Sequence, residues 1–298
     1  MSKVKILLDT DIGGDIDDAI CLAYLLSEPE CELLGVTTVC GEACTRASIA
    51  DAICRAAGCS VPIVAGRDLP MQPIPMYPTP EGAPALVRWP HDAFESGDAA
   101  EFMMRTIECH PHEVALIAIG CMTNVAELLT RYPQAAGLLR GIYSMNGYFG
   151  ADKLPEPWYN WNAWADPMAS AHVFAARTPI NRAVPLEVTE RLTLPAEKAH
   201  SLLAAKGARG DMLRAVLDFG GEWLNASGKL TLHDPLAAVM ALHPEVCSYE
   251  RGYVSVETDS VNDMGQTRFV PDARGNAEIV RDADAGMFFD ILRRALKA

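Results

Sequence analysis

The chain has 298 residues, half of them hydrophobic, with 25 Lys and Arg against 39 Asp and Glu for a formal net charge of −14. That length suits one large domain or two ordinary ones, and the apolar half is enough for a substantial core. The acidic balance excludes a general nucleic-acid binder, which presents a basic face, and leaves a small substrate open. The opening "MSKVKILLD" is basic but meets Asp9 too soon for a secretory apolar segment. No apolar run reaches the roughly 18 to 20 residues of a membrane helix. The expectation is a soluble, cytoplasmic protein with no membrane partner.

"VKILLD" is a short apolar run that predicts a buried strand, and "DDAICLAYLLSEP" has helical spacing and stops at Pro29. "CELLGVTTVCG" predicts a second strand, "TRASIADAICRAAG" a helix ending at Gly58, and "VPIVAG" a third strand. This β-α-β-α-β opening predicts an α/β fold with an open, mainly parallel sheet flanked by helices. The proline-rich stretch 68–92 reads as a long irregular loop. "EVALIAIG" predicts a strand before the helix "TNVAELLTRYP", and "LRGIYSMNG" another strand. An aromatic loop, "YFGADKLPEPWYNWNAWADP", leads into the helix "PMASAHVFAAR", and "NRAVPLEV" is again strand-like. Residues 195–224 read as mostly helical, "LHDPLAAVMAL" as a loop entering a helix, and "RGYVSVETD" with "GQTRFVPD" as a small late antiparallel pair. "ADAGMFFDILRRALKA" predicts a closing helix. With no repeat and no shift of composition, one domain over 1–298 is the simplest reading. The nine cysteines include no C-x-x-C pair, which argues against structural zinc and for reduced core thiols.

Asp9, Asp11, Asp15, Asp17 and Asp18 fall within ten residues, directly after the first strand. Ligands of open α/β sheets bind beyond the carboxyl ends of strands, so this is the position of a site. Clustered carboxylates repel unless a proton, a cation or solvent intervenes, and hard divalent cations are their natural partners. Capping of the following helix accounts for one or two of them, Asp15 or Asp17. An EF-hand fails, because Ile20 stands where its twelfth residue needs Glu.

"DTDIGGDIDDA" resembles the D-x-D-x-G-x-D-D-A signature of the nucleoside hydrolase family, inosine-uridine-preferring type, in a longer variant. "GVTTVCGE", "IGCMTNVAELL", "MNG" with "NWNAWADPMAS", "LHDPLAAV" and "DADAGMFFDILRRAL" resemble further segments of that family in the same order along nearly the whole chain. The resemblance implies a Ca2+-dependent enzyme that hydrolyses the N-glycosidic bond of a ribonucleoside and assembles as a homodimer or homotetramer. It implies that Asp11 is the general base and also touches the metal, that Asp18 is the bidentate metal ligand, and that the Thr123 carbonyl and Asp234 complete the protein's share of the shell. It further implies that Asp17, Met145 and Asn162 bind the sugar, that His233 lies near the leaving base as its acid, and that Asp9 orients the strand end. Three sugar-contacting positions depart from the family pattern: Glu42 for Asn, Ala151 for Asn and Asn160 for Glu. The departures point to a sugar held differently, such as a modified or 5′-substituted ribosyl group. Trp223, and after it Trp89, are the candidates for stacking on a base, while Trp158, Trp161 and Trp164 crowd one loop. Three rival readings predict different products: a haloacid-dehalogenase-like phosphohydrolase with an Asp nucleophile, a ribosyl transferase, and a non-catalytic calcium-binding relative.

Overall fold

Strand β1 (Val4–Thr10) is buried from Ile6 to its end, a pattern that only a central strand covered on both faces can satisfy. The structure, a computed structural model, describes residues 3–71, 79–150, 160–204 and 209–297. After β1 come α1 (Asp17–Ser27), β2 (Cys31–Thr38), α2 (Ala43–Ala56), β3 (Ile63–Ala65), α3 (Ala99–Cys109), β4 (Val114–Ala118) and α4 (Thr123–Arg131). The chain continues with α5 (Ala135–Leu138), β5 (Gly141–Met145), α6 (Trp161–Ala165), α7 (Pro167–Ala175), β6 (Asn181–Val184) and α8 (Leu186–Thr189). Then follow β7 (Thr193–Pro195), α9 (Ala196–Leu203), α10 (Gly210–Ser227), β8 (Lys229–Thr231) and α11 (Asp234–Leu242). The last elements are β9 (Cys247–Val256), β10 (Thr267–Pro271), β11 (Ala277–Ala283) and α12 (Ala285–Lys297).

Nine strands form one sheet in the order β10-β9-β11-β6-β5-β4-β1-β2-β3. Seven, from β11 to β3, run parallel, and β9 pairs antiparallel with both β11 and β10. β7 and β8 form a separate antiparallel pair. The chain builds outward from β1 through β2 and β3, then crosses back to place β4 on the other side of β1. The gap above β1 and β4 is therefore the topological switch point, where ligands of this sheet class bind. Both faces of the sheet are covered: Ile117 packs into the core with α1, α10 and α11, and its neighbour Leu116 into the core with α3 and α4.

The expected α/β class and the late antiparallel pair are both present. The strand expected over "NRAVPLEV" stops at Val184, because Pro185 has no N–H for the ladder, and the next residues coil into α8. Sequence periodicity alone did not anticipate α3 or β11. β11 joins the late antiparallel pair to the parallel sheet.

Leu116→Ala and Ile117→Ala should each cost about 2–5 kcal/mol of stability, read as a shift of the urea midpoint. A cost at one position and none at the other would mean that one sheet face is open.

Candidate active site

The first layer beneath the switch point is a buried polar tie. Asp9 is fully buried; its Oδ1 accepts from the Thr37 hydroxyl at 2.5 Å and the Asn124 amide at 2.8 Å, while Oδ2 has no partner. Burial pushes its pKa to about 7, against the pull of those two donors. Asn124 also donates to the Thr38 carbonyl at 3.0 Å and accepts the Arg67 N–H at 3.0 Å. One carboxylate and one amide thus join β1, β2 and the start of α4.

Above that tie, Asp11, Asp15, Asp17, Asp18 and Asp234 line one cavity of about 590 Å³. An oxygen from each of Asp15, Asp17 and Asp18 lies within 4.8 Å of the others. Asp17 Oδ2 accepts the N–H groups of His233 at 2.9 Å and Asp234 at 3.1 Å. These are at the start of α11, where the helix dipole favours an anion. Neither Asp15 nor Asp17 caps α1, whose N-cap position is Ile16 with no side-chain bond. The side-chain capping expectation is corrected, while Asp17 and Asp18 do stand in the first turn of α1, where its dipole favours them. Asp17 also binds the start of a helix more than 200 residues away. The Thr10 hydroxyl donates to Asp18, and the Asp15 carboxylate lies against that of Asp17, which raises the cost of a charge on Asp15.

Burial and mutual repulsion raise the whole set. Burial and then Asp15, Asp18 and the α11 N–H groups balance Asp17 at about 6. Asp15, Asp18 and Asp234 stand well above the usual carboxylate range, through burial first and neighbouring carboxylates second. Asp11 is raised by burial, opposed by Arg46 and by a hydrogen bond from Trp161. A cluster that cannot ionise alone fits a hard divalent cation, whose charge would replace the protons.

The site residues expected from sequence divide into three groups. Asp11, Asp17, Asp18, Asp234, Met145, Asn160, Asn162, Trp223 and His233 come together around this cavity. Asn162 donates to the Ile119 carbonyl at 2.7 Å and the Met145 carbonyl at 2.9 Å. Asn160 caps α6 through the Ala163 N–H at 3.1 Å and turns its amide nitrogen to Met145 Sδ at 3.2 Å, so both ends of its amide serve the fold. His233 Nδ1 lies 2.7 Å from the Thr189 hydroxyl, and burial lowers its pKa. Thr123 stands in the second group, beside the cavity: its hydroxyl donates to Asp166 at 2.6 Å, and it lines a neighbouring cleft with Arg67 and Glu127. Glu42 forms the third group and is not brought to the cavity. It is exposed, left-handed at φ 53°, and accepts the Thr45 hydroxyl at 3.3 Å. Trp89 is likewise outside the cavity, its indole donating to Asp218 at 2.9 Å. Ala151 and Trp158 lie outside the described residues.

Among the charged and aromatic residues of the cavity, Arg46, Glu81 and Trp161, the last as a partner of Asp11, escaped the sequence reading. Arg46 carried a signal. It shares the spacing of Ile49, Ala50 and Ile53, the buried stripe of α2, and is itself 1% exposed. An arginine on an apolar stripe must have internal acceptors.

The family model described as inosine-uridine preferring nucleoside hydrolase matches residues 6–290. A probable uridine nucleosidase 1 of Oryza sativa subsp. japonica is 28% identical over 277 residues, covering 86% of this chain and 82% of the relative. A pyrimidine-specific ribonucleoside hydrolase of Salmonella schwarzengrund is 28% identical over 311 residues, covering 99% and 98%. Among solved structures, a purine-preferring ribonucleoside hydrolase from Gardnerella vaginalis superposes with a TM-score of 0.81 at 22% identity, over 98% of each chain.

Asn124→Ala removes donors from Asp9 and Thr38 and an acceptor from Arg67. It should lower stability by about 1–3 kcal/mol or more, measured by thermal unfolding. An unchanged midpoint would show that Asp9 does not depend on the Asn124 amide.

Proposed function

The chain belongs to the inosine-uridine preferring nucleoside hydrolase family, and from that premise we propose that it hydrolyses the N-glycosidic bond of a ribonucleoside to free base and ribose. The observation that carries the reading is the convergence of Asp11, Asp15, Asp17, Asp18 and Asp234 on one cavity at the switch point. Asp11, Asp18 and Asp234 are the side chains assigned to Ca2+, with the Thr123 carbonyl as the fourth protein ligand. A bound divalent ion supplies Lewis acidity that makes a water molecule easier to deprotonate.

The chain's own groups then divide the work. Asp11 takes a proton from the attacking water. Asp17 and Asn162 orient the sugar, and Met145 packs beside it. Cleavage develops positive charge on the anomeric carbon and ring oxygen, and the surrounding carboxylates stabilise that charge electrostatically. His233, its ring held by Thr189, delivers the proton to the departing base, and Trp223 offers a face for stacking. The described lining residues include six carboxylates, the five aspartates and Glu81, against Arg46 and His233 as basic groups. That field suits an uncharged nucleoside and opposes a 5′-phosphate. Among the 5′-substituted sugars suggested by Asn160, the phosphorylated ones are therefore the poorest fit. The family match lends no support to the phosphohydrolase alternative. A single domain, a cytoplasmic location and a homodimer or homotetramer remain part of this proposal, on resemblance.

Chromatography of products from natural and modified nucleosides should show free base and ribose, lost on chelation and restored by Ca2+. Asp11→Ala should lower turnover by about 10²–10⁴-fold, the usual worth of a positioned base, with the fold retained. Nucleoside 5′-monophosphates should be poorer substrates than the parent nucleosides, because the lining offers more acidic than basic groups. Phosphate release, or full activity of Asp11→Ala, would overturn the reading.

A further inference from the structure

The loop that follows β2 is left-handed over three successive residues, Cys40 at φ 69°, Gly41 at 59° and Glu42 at 53°. Two of the three carry side chains that disfavour this conformation. The turn is held from two sides. Its N–H groups reach outward: Cys40 donates to the Arg67 carbonyl at 2.9 Å and Gly41 to the Asp68 carbonyl at 2.8 Å. Its carbonyls turn inward onto a single side chain. Arg46 Nε donates to the carbonyls of Cys40 and Gly41, both at 2.8 Å. The same guanidinium, through Nη1, donates to the carbonyl of Asp11 and, at 3.0 Å, to that of Ile12.

We propose that Arg46 is a positioning residue for the hydrolytic reaction: its guanidinium staples the exit loop of β1 to the left-handed exit loop of β2, and so sets where Asp11 stands in the cavity. The inference rests on the reading of Asp11 as the base. The guanidinium is suited to this because it is planar and offers donors in a fixed fork, so one group can bind carbonyls of two chains at once. A lysine in the same place keeps the charge and loses the fork. Next to Asp11 the backbone has little room to adapt, since a Cβ at Gly120 would lie 2.9 Å from the Asp11 nitrogen. The staple therefore acts on a strand end already confined from the β4 side, and its loss displaces the carboxylate without emptying the cavity.

The test uses Arg46→Lys and Arg46→Ala in the full chain, beside wild type, with nucleoside turnover and amide hydrogen exchange measured on the same preparations. For both variants kcat should fall about 100-fold or more, the scale set by an ångström of misplacement, while KM changes by less than about threefold. Exchange should rise at residues 9–14 and 39–43 and stay at wild-type levels in β4 and β5. Millimolar guanidinium ion should restore part of kcat to Arg46→Ala and none to Arg46→Lys. Unchanged kcat in a folded variant overturns the proposal, even if the melting temperature drops. Failure of both variants to fold also overturns it, leaving Arg46 a purely structural residue. If wild type turns over no nucleoside, the hydrolase reading fails separately. In that case the exchange pattern still decides the staple: unchanged protection in the two loops refutes it, and a rise confined to them supports it.

Discussion

Five carboxylates gathered at the end of one buried strand cannot all carry charge without a counter-charge, and the site is organised around that constraint. Each carboxylate of the β1 loop that is not the base has a contact of its own. Asp17 has the first N–H groups of α11, Asp18 has the Thr10 hydroxyl, and Asp15 lies against Asp17. These contacts fix the oxygens in place but do not neutralise them, and burial still raises every member of the set. A divalent ion held by these carboxylates would supply the missing charge. Stability and catalysis are thereby joined: the repulsion among these carboxylates is the same field that favours an electron-poor sugar.

The fold supplies the rigidity that this arrangement needs. Because β1 lies between β2 and β4, loops from both neighbours close over its end. The Asp9–Asn124 tie holds them from below, and Arg46 spans the β1 and β2 exits at the level of Asp11. The contribution of Asp234 arrives through α11, whose first turn is docked by Asp17 itself. The cluster therefore assembles one of its own distant members, which explains how residues 11–18 and 234 reach one cavity without a dedicated connection between them.

Much of this was legible in the sequence where local pattern and global fold agree. The apolar run of β1, the alternation of strands and helices and the aspartates at a strand end all follow from periodicity and charge. The resemblance to nucleoside hydrolases extended that reading to His233 and Asp234, which no local rule connects to Asp11. What escaped depends on three-dimensional neighbours. Glu42 occupies a position aligned with sugar contacts, yet the left-handed turn carries its side chain to solvent. Asn160 replaces a carboxylate in the motif and becomes the cap of α6, a role visible only once that short helix is seen. Arg46 drew no attention among the site residues, although its spacing placed it on the buried stripe of α2. Backbone carbonyls, which have no signature in sequence, are what make a buried arginine possible there.

The most direct test is a crystal structure grown at saturating Ca2+, compared with one grown in chelator. The account predicts a single ion in the cavity, within coordination distance of Asp11, Asp18 and Asp234. A cavity that stays free of the ion at saturating Ca2+ would contradict it.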